Sequence, residues 1–112
     1  MGDAVYELEI RRYLCRNGST PSGVLHKKAV HYVCAAFQAK VYDMLETFLT
    51  ENELAVMKRG RNASGATVPK SSSPAEYRKA TGVESLFGYL YLKGNEDRIN
   101  EICSLILSKE EM

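Results

Sequence analysis

Apolar residues recur at intervals of three and four positions along almost the whole chain, and this spacing is the strongest constraint on the fold. In an α-helix it places the apolar side chains on one face, whereas a half-buried strand needs an apolar residue at every second position. No segment of the sequence alternates in that way. The sequence therefore predicts an all-α fold. A length of 112 residues suits one hydrophobic core, so we expect residues 1–112 to form a single helical domain.

Capping and turn residues divide this pattern into helices. Thr50 and Ser73 are each followed three residues later by glutamate, which predicts a capping box at the start of a helix. Gly94 predicts a helix end. In chain order, the predicted helices are about residues 2–16, a segment through Leu25 and Val33 that can run on with a bend into one through Phe37 and Phe48, a short helix from Thr50 to near Gly60, a helix from Ser73 to Gly94, and a last helix after Asn95.

The apolar faces of these helices form the expected core. Three cysteines, an odd number without C-x-x-C spacing, fall in helical and largely apolar surroundings, which predicts reduced core thiols. They are Cys15, Cys34 and Cys103. The main core positions are expected to be Tyr6, Ile10, Tyr13, Leu14, Phe37, Val41, Met44, Leu45, Phe48, Val83, Leu86, Phe87, Leu90, Tyr91, Ile99, Ile102 and Ile106.

Positive charge is concentrated between residues 58 and 79. This basic segment has six basic residues and one acid, Glu76, while the rest of the chain has 9 basic and 13 acidic residues. The concentration favours a polyanion as partner, although the net charge of the whole chain is only +1; a solvated basic face is the alternative. Within the segment, residues 62–74 are small and turn-forming, which predicts a flexible basic loop of the long kind that often carries function.

Several functional classes are excluded by what the sequence lacks. It has no long apolar run and no basic start followed by an apolar stretch, so we expect a cytoplasmic protein without a membrane span or signal peptide. His26 and His31 do not have the spacing of a metal pair with a nearby third ligand. Phosphate-binding glycine loops and a Ser-His-Asp arrangement are also absent.

Two carboxylates are candidates for chemistry. Asp3 lies in the first turn of the first helix between Gly2 and Ala4, where a helix-dipole role is the alternative. Glu84 lies at the edge of an apolar stripe, one turn before Gly88. If the first turn packs near Gly88, the two carboxylates converge and repel each other unless a proton or a cation intervenes. Mg²⁺ suits such a pair, because it binds oxygen ligands and is often held by one or two protein carboxylates.

Five segments together resemble Mini-ribonuclease III, the branch of the ribonuclease III family that lacks a double-stranded-RNA-binding domain. Their order and spacing span nearly the whole chain. The segments are GDAVYE at 2–7, LHKKA at 25–29, QAK at 38–40, KRGRNA at 58–63 and YRKATGVESLFGYLYL at 77–92. The resemblance implies an all-α, ribonuclease III endonuclease-like helical bundle, a homodimer, and Mg²⁺-dependent hydrolysis of double-stranded RNA. It also implies trimming of the 23S ribosomal RNA precursor, helped by a large-subunit ribosomal protein.

The resemblance assigns roles to individual residues. Asp3 and Glu84 match the catalytic acids that hold the metal. Glu7 is a candidate to orient water bound to that metal. Larger family members have a further acid where this chain has Thr81, and family chains extend upstream of Gly-Asp-Ala as a helix that we expect to be absent here. The residues expected to bind RNA are Lys58, Arg59, Arg61, Asn62, Lys70, Tyr77 and Arg78.

Two other functions fit the same residues. A non-catalytic module that binds duplex RNA or the ribosome would use the basic segment and form no Mg²⁺-dependent product. A helical protein-interaction domain would bind neither RNA nor Mg²⁺.

Overall fold

The structure, a computed structural model, describes residues 2–17, 34–63 and 73–110; within these ranges the side chains of residues 3, 13–17, 109 and 110 lie outside the description. The described residues contain helices and turns and no strand, which confirms the all-α fold. None of the described helices is long and apolar enough to span a membrane. The helices are α1 (Gly2–Asn17), α2 (Ala35–Leu45), α3 (Glu51–Ala63), α4 (Pro74–Leu92) and α5 (Glu96–Glu110).

Helix α4 is the centre of the bundle. It packs against each of the other four helices, and α1 also contacts α5. The ring of Tyr6 on α1 meets that of Phe87 edge to face, with the ring centroids 4.9 Å apart. An apolar core surrounds this contact. Its fully buried members include Val41, Tyr42, Leu45, Met57, Val83, Leu86, Ile99, Ile102 and Ile106.

Most of the predicted boundaries and core positions are confirmed. At α4, the amide of Glu76 donates to Ser73 Oγ at 3.1 Å, and Gly94 has a φ of 71° just beyond the helix end. The amide of Arg98 donates to Asn95 Oδ1 at 3.3 Å, as expected for the cap of α5. The predicted segment through Leu25 and Val33 lies outside the described residues.

Five details of the sequence prediction are wrong. Helix α3 does not end near Gly60 but continues to Ala63, so the predicted loop at 62–74 loses its first two residues. It also loses Pro74, which belongs to α4; residues 64–72 lie outside the description. The reason is tertiary, because Gly60 packs on α4. Cys34 is exposed just before α2 and is not a core thiol, and Tyr91 and Phe48 are 43% and 37% exposed. Tyr91 lies in the last turn of α4 and Phe48 beyond the end of α2, and the Tyr91 hydroxyl can hydrogen-bond water there.

Glu53 joins the start of α3 to α5. Its carboxylate accepts from the Thr50 amide at 3.0 Å, and the Glu53 amide donates to Thr50 Oγ1, which confirms the capping box. The same carboxylate accepts two hydrogen bonds from Arg98, at 2.8 and 2.7 Å. Glu53 is only 7% exposed, and these hydrogen bonds from Arg98 lower its pKa against the opposing effect of burial. The contact between α3 and α5 at this point is therefore made by a charged pair.

Two glycines set the distance between α3 and α4. A Cβ atom at Gly60 would lie 2.6 Å from Cβ of Ser85, and one at Gly82 would lie 2.7 Å from the backbone oxygen of Met57. Both distances are shorter than van der Waals contact allows. Each helix therefore has a glycine where the other helix is closest.

We expect Gly82→Ala to destabilise the protein. The added methyl group meets a backbone oxygen, so the free energy of unfolding should fall by about 1–3 kcal/mol. This clash outweighs the higher helix propensity of alanine, which is worth about 1 kcal/mol relative to glycine in an unstrained helix. Urea unfolding measures the change. Ser104→Ala, at an exposed position in α5, is the control for helix propensity and should be neutral or slightly stabilising. A Gly82→Ala variant at least as stable as the parent would contradict the close approach.

We expect Glu53→Gln to cost about 1.5–3 kcal/mol at pH 7, since the charge-assisted hydrogen bonds are lost while the side-chain shape is kept. Because the pKa of Glu53 is lower in the folded chain than its ordinary value of 4.5, its contribution is complete above that pH and is lost as the pH falls through the folded value. The variant should therefore lose less stability than the parent between neutral and acid pH. Glu101→Gln, on an exposed carboxylate 3.6 Å from Arg98, is the matched control and should change little.

Candidate active site

The end of α3 and the start of α4 form a cleft of about 330 Å³. We refer to it as the basic cleft. It contains three cationic side chains, and it brings together residues from both halves of the basic segment. The lining residues are Arg61, Asn62, Ala75, Arg78 and Lys79. Three of these, Arg61, Asn62 and Arg78, are among the seven residues expected to bind RNA.

Arg61 is held in the wall of the basic cleft by two hydrogen bonds. Its Nη1 donates to the hydroxyl of Tyr42 on α2 at 2.9 Å, and its Nε donates to Asn62 Oδ1 at 3.1 Å. The guanidinium carbon lies 5.6 Å from the centroid of the Tyr42 ring, within the range of a cation–π contact. The side chain of Arg61 is thus hydrogen-bonded both to α2 and to its own helix, α3.

Lys79 approaches the same ring from α4. Its Nζ lies 5.7 Å from the Tyr42 centroid and 2.8 Å from Asp43 Oδ1, and the hydrogen bond to Asp43 raises the pKa of Lys79. Tyr42 itself is 1% exposed. Burial raises the pKa of its hydroxyl, while the charge of Arg61 opposes the rise. The hydroxyl therefore stays protonated at neutral pH and accepts the hydrogen bond from Arg61.

The remaining residues expected to bind RNA do not line the basic cleft: three lie on the two helices that form it, and one lies outside the description. Lys58 and Arg59 are exposed on α3, before Arg61. Tyr77 is half-buried on the second turn of α4. Lys70 lies outside the described residues. The structure thus groups part of the expected set into one cleft, and the RNA-binding role of the whole set stays a prediction.

One face of α4 carries the candidate glutamate. Tyr77, Thr81, Glu84 and Gly88 follow each other at intervals of three and four and therefore share that face. Glu84 is half-buried. The Thr81 hydroxyl donates to the backbone oxygen of Tyr77 at 3.0 Å, so its hydrogen bond is satisfied within α4. Glu84 and Tyr77 are two turns apart, about 10 Å along the axis.

The other two acidic candidates lie on α1, which packs against α4. Asp3 is in the first turn of α1, and its side chain lies outside the description. Glu7 is exposed, with Oε1 3.5 Å from Nη2 of Arg11. In the part of the chain where side chains are described, no three His, Cys, Asp or Glu residues form a cluster able to hold a metal. The pairing of Asp3 with Glu84 stays a prediction.

Sequence reasoning missed Tyr42, Asp43 and the part that Lys79 plays in the basic cleft. Lys79 was counted in the basic segment but not among the residues that bind RNA. Gly60 and Gly82 were an available signal, because a glycine inside a helix indicates close packing. Nothing in the sequence connects Tyr42 to Arg61, which is 19 positions away.

Comparisons with known proteins match most of the chain. Residues 1–95 match the family model described as the ribonuclease III domain. Mini-ribonuclease 3 of Symbiobacterium thermophilum is 46% identical, with 91% of this chain and 78% of that protein covered. Mini-ribonuclease 3 of Enterococcus faecalis is 43% identical, with 97% and 84% covered. A crystal structure of a Fusobacterium nucleatum protein superposes with a TM-score of 0.81 at 32% identity and covers 97% of this chain and 87% of that one.

These matches cover the basic cleft and both candidate acids, so the all-helical fold is that of a ribonuclease III catalytic domain. The chain belongs to the ribonuclease III family and, within it, to the Mini-ribonuclease 3 branch. It is an endoribonuclease.

Proposed function

We propose that this endoribonuclease cleaves double-stranded RNA by Mg²⁺-dependent hydrolysis and acts on the stem of the 23S ribosomal RNA precursor. The observation that carries the proposal is the arrangement of α4. One helix bears Glu84 on one face and, at its start, Arg78 and Lys79 in the basic cleft. With 3.6 residues per turn, Glu84 lies about 120–140° around the axis of α4 from Arg78 and Lys79, so in this proposal the RNA backbone passes around the helix from the basic cleft to the candidate carboxylate.

Asp3 and Glu84 are the residues that hold the metal in this proposal. Carboxylate oxygens are the donors that Mg²⁺ prefers, and Glu84 is half-buried on a helix that packs against α1. When bound, Mg²⁺ supplies an activated water and offsets negative charge on the phosphate and the leaving oxygen. Glu7 has an exposed carboxylate one turn after Asp3. In this proposal it would orient water bound to the metal.

The basic residues hold the RNA backbone rather than its base edges. Arginine binds phosphate with two parallel hydrogen bonds, and Arg61 and Arg78 lie in one cleft. Lys58, Arg59, Asn62, Lys70 and Tyr77 extend the same surface in the proposal. In A-form RNA the 2′-hydroxyls and phosphates are more accessible than the bases, so recognition depends on shape more than on sequence.

The proposal includes a homodimer that works in the cytoplasm on ribosomal RNA, with a large-subunit ribosomal protein as a helper. Four large apolar side chains exposed on the described surface support a partner chain, because a second copy that covered them would remove them from water. They are Leu8, Phe48, Tyr91 and Leu92.

The catalytic assignment is tested on a 23S precursor stem, with and without Mg²⁺. Asp3→Asn and Glu84→Gln should each reduce cleavage by more than about 100-fold, since even residues that only orient metal ligands are worth about 10–100-fold. Glu7→Gln should fall within that smaller range. Glu51→Gln, an exposed glutamate at the start of α3, is the matched control and should keep full activity.

Full activity of either Asp3→Asn or Glu84→Gln would remove that residue from the site. Binding of the stem without any Mg²⁺-dependent product would instead favour a non-catalytic RNA-binding module. Failure to bind either RNA or Mg²⁺ would leave a helical protein-interaction domain as the function.

The RNA-binding assignment is tested through the salt dependence of duplex binding. Each phosphate contact that is lost should reduce the slope of log K against log salt by about 0.7–0.9. Replacing Arg59 and Arg61 by alanine should therefore weaken binding and flatten the slope. Lys93→Ala removes one exposed cation at the far end of α4 and should leave the slope unchanged. An unchanged slope in the arginine variants would count against their role.

A further inference from the structure

The buried side chain of Tyr42 contacts two cations of the basic cleft from the interior of the protein. Tyr42 belongs to α2, whereas the residues that line the cleft come from the end of α3 and the start of α4. Its hydroxyl accepts from Arg61, and its ring faces both Arg61 and Lys79. A core residue that no sequence motif singles out is thus in contact with the surface expected to bind RNA.

The hydroxyl of Tyr42 distinguishes a role in positioning Arg61 from a role in core packing alone. Phenylalanine would fill almost the same space without adding a polar atom to the core, and a buried hydroxyl is costly unless it is hydrogen-bonded. In this structure its hydrogen bond is made with a cleft arginine. The packing of the ring needs only an aromatic residue, while the hydroxyl acts on the position of Arg61.

Arg61 gains a fixed orientation from this contact. An arginine side chain has many rotamers, and their loss on binding a phosphate reduces affinity. The hydrogen bonds from Nη1 to Tyr42 and from Nε to Asn62 define the plane of the guanidinium before any ligand binds. A planar group held in advance is well suited to bidentate recognition of a phosphate.

The position of Tyr42 depends on the crossing of α3 and α4. A Cβ atom at Gly82 would lie 3.2 Å from Cε2 of Tyr42 and 3.4 Å from Cβ of Arg61. The glycine therefore allows the ring and the arginine to occupy the same small region. The contact between Tyr42 and Arg61 therefore depends on how α2, α3 and α4 pack together.

We propose that Tyr42 is a positioning residue for substrate binding: it holds the guanidinium of Arg61 in the wall of the basic cleft, where Arg61 binds a phosphodiester of the RNA backbone. This inference rests on the proposed function, because it names the residue that orders the RNA-binding surface of the same enzyme. Tyr42 acts through Arg61 and does not touch the RNA.

The test is a double-mutant cycle of Tyr42→Phe and Arg61→Ala in the full chain. The Kd for a duplex RNA stem is measured without Mg²⁺, and kcat and KM for its cleavage are measured with Mg²⁺. Tyr42→Phe alone should weaken binding by about 3–10-fold, the size expected for the loss of one ordinary intramolecular hydrogen bond. In the Arg61→Ala background the same change should have less than about a twofold effect, because the group that it positions is gone. KM should rise with little change in kcat.

Tyr89→Phe is the matched control. On α4, Lys93 Nζ donates to the Tyr89 hydroxyl at 3.2 Å and lies 5.0 Å from the centroid of its ring, so this pair repeats the tyrosine–cation contact away from the basic cleft. Tyr89→Phe should leave the Kd for the duplex RNA stem unchanged. Thermal unfolding of both variants separates a binding defect from a folding defect.

The outcomes distinguish the inference from the function on which it rests. If the parent cleaves the stem and Tyr42→Phe binds as tightly as the parent, the positioning role is overturned and the proposed function stands. The same holds if the loss persists unchanged in the Arg61→Ala background. If the parent binds the stem without cleaving it and the cycle still shows coupling, the positioning role stands and the hydrolytic proposal fails. A parent that does not bind the stem overturns both.

Discussion

The close approach of α3 and α4 at Gly60 and Gly82 is the constraint on which the rest of the structure depends. Without side chains at these positions the two helices come near enough for Tyr42 of α2 to pack against both. Arg61 then meets the Tyr42 hydroxyl, and Lys79 meets its ring. The basic cleft thus follows from a packing requirement in the bundle, and two of its cations, Arg61 and Lys79, are held by protein contacts before a ligand arrives.

Helix α4 combines support and function. Val83, Leu86 and Phe87 are completely buried and hold the other helices around it. Glu84 lies between these core positions and is half-buried, so its backbone is held by the helix that packs against all the other described helices. Such a position suits a residue proposed to bind a metal, because a ligand on a rigid helix keeps its geometry.

Among the described residues, Arg98 and the cations of the basic cleft have different physical roles. Arg98 is largely buried, pairs with Glu53 through two hydrogen bonds and lies 4.7 Å from the Phe48 ring, so it stabilises the junction of α3 and α5. Arg78, by contrast, is exposed in the basic cleft, and Arg61 is ordered there by a neutral tyrosine. A neutral acceptor fixes the position of Arg61 without cancelling its charge. The overall charge of +1 conceals this division.

The sequence by itself determined the helical class, the capping box at Thr50, the N-cap at Ser73 and most of the core, because local hydrogen bonds and apolar periodicity decide them. It also indicated the family through short motifs around Asp3 and Glu84. Tertiary structure alone decided that α3 continues past Gly60, since contact with α4 outweighs the poor helix propensity of glycine. It alone also joined Tyr42 to Arg61, because residues far apart in sequence meet only when helices cross, and no local pattern records the crossing.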